Sequence, residues 1–331
     1  MSYNCQIICD SISETGKRLT TFEITFPRIV LAEFNTHRMF SRNSASSRAI
    51  PIRKMLDKVL IDPFIPDRFP VSGKGMQPGD YFEPETNGYR DARSVWLDAR
   101  LYAIKQVEKL QDVGVRKQIA NRLLEPWLWH TVIVTATEWA NFFKLRCHPD
   151  AQEQIKIIAD VMYQAYHWNF DCYSNKVGTT KFEYDNSHIG TISSIQELKA
   201  GEWHCPYVSS KDDEALEHLI DFDLPDDPNP DYWKTEFKKR ISVARCARIS
   251  YLTHDGQRDV QKDLELYQRL TTSGHWSPFE HVATPHYREG RIVDVDDSTF
   301  QGKENLWCGN FLGWKQYRKF FVDENILTFT K

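Results

Sequence analysis

The stretch "THRMFSRNSASSR", residues 36–48, sets His37 and Arg38 a few positions before Ser41, Asn43 and a serine run closed by Arg48. Hydroxyls, an imidazole and guanidinium groups at this density suit the binding of a small anion. On a helix over residues 28–44, Glu33, His37, Ser41 and Ser44 fall at offsets of four, four and three, so they share one face. Arg38 and Asn43 flank that face. Beyond it the serines and Arg48 mark a turn, where successive backbone N–H groups can nest an anion and an Arg fork adds bidentate donors. An ordinary solvated helix face is the plainer alternative. Against it, "IVLAEF" and "MF" beside the polar residues ask for burial, and buried polar groups need partners that a ligand can supply.

The elements that must position these groups follow from periodicity. "LTTFEITFP" alternates at Phe22, Ile24 and Phe26, a half-buried strand ended by Pro27. "RIVLAEFNTHRMFSRNSA" reads as a helix with Pro27 near its start. "SASSRAIP" breaks it, and "IRKMLDKVL" resumes a helix. A Gly/Pro-rich loop runs through "PVSGKGMQPGDYFEPETNG". Helical patterns continue in "DARSVWLDARLYAIKQVEKLQDVG", in "RKQIANRLLEPW" and from Thr131 to Tyr166. The acidic, Pro-rich "DFDLPDDPNPDYW" reads as a linker rather than a calcium loop, since it lacks the Gly and spaced acids of an EF-hand. "RISVARCARISYL" and "DVQKDLELYQRLTTSG" then read as helices, the second closed by Gly274. The pattern is α-rich with a few strands, divided into residues 1–200, a linker region 201–240, and residues 241–331 packed into the same domain.

The 331 residues, 41% of them hydrophobic, can build a sizeable core. A net charge of −4 gives no global basic field to hold nucleic acid. No apolar run is long enough for a membrane span, and the N-terminus lacks the pattern of a signal peptide. The seven cysteines are scattered and never spaced CxxC, which points to a reducing, cytoplasmic setting without disulfides. Walker, GxGxxG and GxSxG patterns are missing. His275, Glu280 and His281 lack the spacing and third ligand of a zinc site, so no metal is expected.

"HRMFSRNSASSR" resembles the RHRxxSxNExSxR signature of the flavin-dependent thymidylate synthases. His37, Arg38, Ser41, Asn43, Ser46 and Arg48 match; Thr36 replaces the first Arg, Ser44 replaces the Glu, and Glu33 stands where a Gln is usual. "NFFKLRCHPDAQEQI", residues 141–155, is similar to the family's NFxxLRxxxxAQxEI, with Asn141, Arg146, Ala151 and Gln152 in place and Gln154 at the Glu position. "KQIANRLLEP" resembles ARxxLP and puts the nucleotide-binding Arg at Arg122. "GHWSPFEH", residues 274–281, is similar to GHxSxxEH, and "SVARCARISY" before it to AARxCY. In ordinary members that block precedes the polar segment; here it follows by more than 200 residues. The chain thus resembles a circularly permuted or rearranged member. A duplication is the alternative, because Gln316 and Arg318 in "FLGWKQYRKFF" faintly echo the missing QxxRHR.

The resemblance implies an α/β fold, a sheet with long helices, in a homotetramer whose sites combine subunits. It implies FAD bound by His37, Arg38, Ser41, Asn43, Asn141, His275, Ser277 and Glu280. It implies a pyrimidine deoxynucleotide monophosphate held by Glu33, Ser44, Ala45, Ser46, Ser47, Arg48 and Arg122, with Arg146 both binding the base and acting in catalysis. Methylenetetrahydrofolate and NADPH would be the co-substrates for converting dUMP to dTMP. Two alternatives remain: a related flavin enzyme that methylates or hydroxymethylates dCMP or dUMP, and a nucleotide-binding protein without turnover. Glu33 motivates the first, since a carboxylate only accepts and so suits a donor-rich ring edge such as the amino group of cytosine.

Overall fold

Ten consecutive residues of alternating inward side chains form β1 (Asn4–Ser13), which turns back at Gly16 into β2 (Arg18–Pro27). The structure, a computed structural model, describes residues 2–75, 79–175, 187–223, 229–251, 259–286 and 307–325. After β2 come the single-turn α1 (Leu31–Phe34), β3 (Ser41–Ser44), α2 (Ile52–Ile61), α3 (Asn87–Asp112) and the short α4 (Lys117–Ala120). Next are β4 (Trp129–Ala136), α5 (Ala140–Arg146), α6 (Glu153–Ser174), β5 (Ile189–Ile192) and β6 (Gln196–Leu198). The remainder holds α7 (Asp213–Asp223), α8 (Pro230–Arg248), α9 (Val260–Thr272), β7 (Ala283–Pro285), β8 (Trp307–Cys308), β9 (Phe311–Leu312) and β10 (Trp314–Gln316). The fold is mixed α/β. Its main sheet runs β3-β4-β2-β1-β5, with β6 also pairing with β1.

Both faces of this sheet are covered, which is why β2 is buried almost throughout rather than on one side. One face stacks Cys5, Ile7, Phe22, Ile24, Val132 and Val134 under α6, whose Ile155, Ile158, Ala159, Met162 and Ala165 recur at helical spacing. The other face carries Thr21, Thr135 and Ile133 and is covered by the chain after residue 198, with Cys246 and Ile249 on Ile133. A register shift between Ile7 and Cys9 lets β1 serve both layers. It sends Asp10 to the helical side, where Arg18, Thr20 and Asn169 donate to it at 2.6–3.0 Å. Cys9 and Ser11 go to the other side, where they meet His204.

Two sequence expectations are overturned. Residues 28–44 are not one helix: α1 has four residues, and a turn leads into β3, which pairs with β4. The helix stops because its final carbonyls find other donors. Thr36 caps Glu33 O at 2.6 Å through its hydroxyl, and Arg42 reaches Phe34 O and His37 O at 3.3 Å each. Glu33, His37, Ser41 and Ser44 therefore do not share a helix face. The span from Thr131 to Tyr166 is likewise not continuous helix, because the β-branched run "TVIVT" lies in β4, between β2 and β3. The predicted strand at β2 and helices at α2, α3 and α9 are present, and Gly274 ends α9 with φ +66°. Of the predicted linker, residues 224–228 lie outside the described residues.

The second layer is tied together by buried charge. Arg245 of the "SVARCAR" segment donates to Asp212 and Asp263 at 2.8 Å each, and Arg248 donates to Asp263 at 2.8 Å. Asp263 is 1% exposed. Replacing it with Ala strips a carboxylate from two guanidinium groups, one of them buried, and should destabilise the protein by about 3–5 kcal/mol in urea denaturation. A loss under about 1 kcal/mol would mean that the cluster rearranges with water.

Candidate active site

The first and second sequence motifs meet through Arg146. Trp139, Phe142 and Phe143 anchor α5 in the core, leaving Asn141 exposed on its first turn and Arg146 half-buried on its last. From there Arg146 Nε donates to His37 Nε2 at 2.9 Å, and Nη2 reaches Thr36 Oγ1 at 3.3 Å. His37 packs edge-on to Phe142 and stacks on Phe40. Burial, then the charges of Arg146 and Arg42, push its pKa down to about 4. The ring is neutral at pH 7, and accepting at Nε2 leaves its proton on Nδ1. Glu33 sits just behind this pair, and its Oε2 is buried with no partner among the described residues.

The first and third motifs meet at Asn43. Its amide nitrogen faces His281 Nε2 at 3.0 Å when its oxygen accepts from Ser277 Oγ at 3.0 Å, an orientation that satisfies both neighbours. His281 Nδ1 then donates to Thr135 Oγ1 at 2.8 Å. The chain of contacts continues across the sheet: Thr135 to Thr21 at 2.7 Å, Thr21 to His204 at 2.7 Å, and His204 to Ser11 at 2.8 Å. Both imidazoles are fully buried, and that burial pushes each down to about 3. They act as neutral, fixed hydrogen-bond pieces, His281 against β3 and β4 and His204 against β2 and β1.

Ser41, one pleat away, bonds to Asn310 Oδ1 at 3.2 Å and accepts from Gln316 Nε2 at 3.2 Å. Glu280 accepts from Arg318 Nη1 at 2.6 Å, and Arg318 also pairs with Glu324. Gln316 and Arg318, noted in the sequence only as a faint echo of a missing motif, thus touch the two motif residues Ser41 and Glu280. Arg42 also feels the charges of Arg38 and Glu280. Arg38 and His275 are exposed.

The serine turn is more self-contained than an open anion nest. The N–H of Ala45 donates to Thr131 O, that of Ser46 to Ser250 O, and those of Ala49 and Ile50 to Ser46 O. Those four groups do not face a ligand, so any anion contact from this turn falls to Ser47 and Arg48. Ser44 points from β3, Ala45 is buried, Ser46 is half-buried and Arg48 is exposed. Ser47 Oγ donates to Glu125 Oε1 at 3.2 Å, and Arg122 Nη1 donates to the same oxygen at 2.7 Å. The serine turn and Arg122, 74 residues apart in numbering from Arg48 to Arg122, are therefore brought onto one carboxylate. Sequence reasoning missed Glu125, Arg28, Asn310 and the Thr21–Thr135–His204 row. The pairing of two Thr residues across neighbouring strands has no signature until the register is known. Two cavities of about 490 and 620 Å3 are lined by other side chains, apart from Gln152 and Gln154 on the rim of the first.

Residues 18–168 match the family model described as thymidylate synthase complementing protein. Among solved structures the chain is similar to a UMP/dUMP methylase, PolB from Streptomyces cacaoi, bound with 5-Br dUMP. That likeness has 20% identity and a TM-score of 0.38, covering 46% of this chain and 67% of that one. The same protein bound with 5-Br UMP gives 17% identity and a TM-score of 0.40, covering 51% of this chain and 90% of that one. None of the curated proteins compared with it matches.

Proposed function

From a chain whose residues 18–168 carry the pattern of the thymidylate synthase complementing proteins, we propose a flavin-dependent methyltransferase that acts at C5 of a pyrimidine nucleotide. The leading substrate is dUMP, converted to dTMP with methylenetetrahydrofolate as carbon donor and NADPH as reductant. The observation that carries this reading is the meeting of three distant motifs, Arg146 on His37 at 2.9 Å and Asn43 on Ser277 at 3.0 Å. A homotetramer follows from the resemblance, as does FAD.

The donor set suits a flavin dinucleotide. Arg38, Asn141 and His275 are exposed hydrogen-bonding groups, and Asn43 and Ser277 bond each other between them and the His281 row, as a fixed polar wall. His37, Ser41 and Glu280 complete the set. When bound, the flavin would supply the redox chemistry that side chains lack. The protein's part is position and charge. Ser47, Arg48 and Arg122 would hold the nucleotide phosphate, with Ser44, Ala45 and Ser46 forming the wall beside the sugar. Arg146 would face the base, where a fixed cation favours the enolate-like ring and raises electron density at C5. None of the cysteines Cys5, Cys9, Cys147, Cys205 and Cys246 is poised as a nucleophile, since burial raises each thiol pKa.

A second reading draws on Glu33. Its buried, unpartnered oxygen accepts but cannot donate, which favours a base presenting an amino group, and dCMP is that substrate. Anaerobic incubation with dUMP or dCMP, methylenetetrahydrofolate and NADPH, followed by mass analysis of the nucleotide, separates the two. A yellow protein that adds one methyl group to dUMP supports the first reading, and product from dCMP alone supports the second. A colourless protein that takes up no flavin and alters neither nucleotide ends both.

A further inference from the structure

Three donors converge on one oxygen of Glu125. Arg122 Nη1 lies 2.7 Å from Oε1, Arg28 Nη2 lies 3.2 Å from it, and Ser47 Oγ lies 3.2 Å from it. Two guanidinium groups and a hydroxyl around a single anionic oxygen is the arrangement that a phosphate oxygen asks for. Lys58 lines the same small cavity, together with Arg28, Ser47, Glu125 and His130. Arg28 and Arg122 thus bring two cations to one carboxylate, with Lys58 on the same cavity wall, and the positive charge is felt next door. Burial, then the charges of Arg28 and Lys58, push the neighbouring His130 down to about 3. Glu125 also stands where the ARxxLP pattern has its Leu, so this chain places an acid where an apolar residue is usual.

We infer that Glu125 is a built-in occupant of the anion subsite formed by Ser47, Arg28 and Arg122, competing with the phosphate of the substrate for the same donors. The cavity beside it holds about 20 Å3, enough for roughly one water and too small for phosphate. An incoming phosphate must therefore displace the carboxylate. Glu125 can yield, since its side chain is 25% exposed rather than sealed in the core. The residue acts as a brake on phosphate binding, that of the proposed dUMP substrate included. It weakens phosphomonoesters, whose anion must replace a resident one, and leaves a neutral nucleoside unaffected. The inference rests on the pyrimidine-nucleotide reading only where it takes the phosphate to be the nucleotide's; the subsite itself can be tested without any base.

The experiment is a calorimetric titration of wild-type protein and Glu125→Gln with inorganic phosphate, dUMP and deoxyuridine. Removing the charge while keeping the shape should tighten phosphate and dUMP by roughly 10-fold or more and leave deoxyuridine unchanged. Adding Arg122→Ala to Glu125→Gln should cancel the gain. Glu125→Ser, which also lacks the carboxylate, serves as the second variant should Gln distort the turn. Phosphate affinity that is unchanged or weaker in both variants overturns the inference, as does a gain that survives loss of Arg122. Tightened phosphate with no binding of dUMP or deoxyuridine to any variant supports the subsite and removes the dUMP reading.

Discussion

Acidification from pH 6.5 should unfold the protein well before pH 3. His130, His204 and His281 are at most 4% exposed, and burial pushes each pKa from 6.5 down to about 3. In the unfolded chain each would take up its proton near 6.5. Between those values the unfolded state binds more protons than the native one, so stability rises with pH across this window. The contribution is complete above pH 6.5 and is lost as pH falls toward 3. Each imidazole contributes up to about 1.4 kcal/mol per pH unit, and three together about 4 kcal/mol per unit. Against a total stability of about 5–15 kcal/mol, two or three units suffice. Urea midpoints measured from pH 7.5 to 5 separate the histidines from unpaired carboxylates, which titrate lower, with His37, pushed down to about 4, adding to the three. Near pH 5, His204→Gln should reduce the protons taken up on unfolding by about one. A midpoint that stays flat from pH 6.5 to 5 would show that these rings are hydrated in solution.

The same buried rings show what the sequence could and could not reveal. Strand β2 was legible because Phe22, Ile24 and Phe26 alternate, and α9 because its apolar residues keep helical spacing up to Gly274. Strand β4 was not, since a short apolar run buried on both faces has no period to read. The polar segment misled for another reason. Its helical spacing is real, but Arg42 and Arg146, donors from β3 and α5, take the carbonyls that a continuing helix would need. Tertiary contacts of this kind override local propensity. The motif positions themselves were legible by resemblance, and the structure brings Arg146 to His37 and Ser277 to Asn43. What resemblance concealed is the internal satisfaction of the site: Ser41 by Gln316, Glu280 by Arg318, and Ser47 with Arg122 by Glu125. None of these partners is a motif residue except by the faintest echo.

Replacing Arg146 with Ala should lower kcat on the nucleotide by about 10²–10³-fold, the usual loss when a fixed donor to developing negative charge is removed. The expectation rests on position. Arg146 is half-buried at the end of α5 and is held by His37 and Thr36, where the proposed reading sets the base. Flavin content should stay near wild type, because His37, Asn43 and Ser277 keep their packing, and stability should change by about 1 kcal/mol or less. Arg146→Lys should recover only part of the activity, since a single ammonium lacks the planar fork that reaches Nε and Nη2 partners together. A second readout is independent of turnover. Arg146 is the second cause, after burial, of the low His37 pKa. In Arg146→Ala, His37 should therefore titrate closer to 6.5 when followed by imidazole proton resonances. Activity within tenfold of wild type, with His37 shifted as expected, would leave Arg146 as a structural neighbour of His37 and remove it from the chemistry. An unshifted His37 would instead mean that the two side chains are apart in solution, and the meeting of the first two motifs would fall with it.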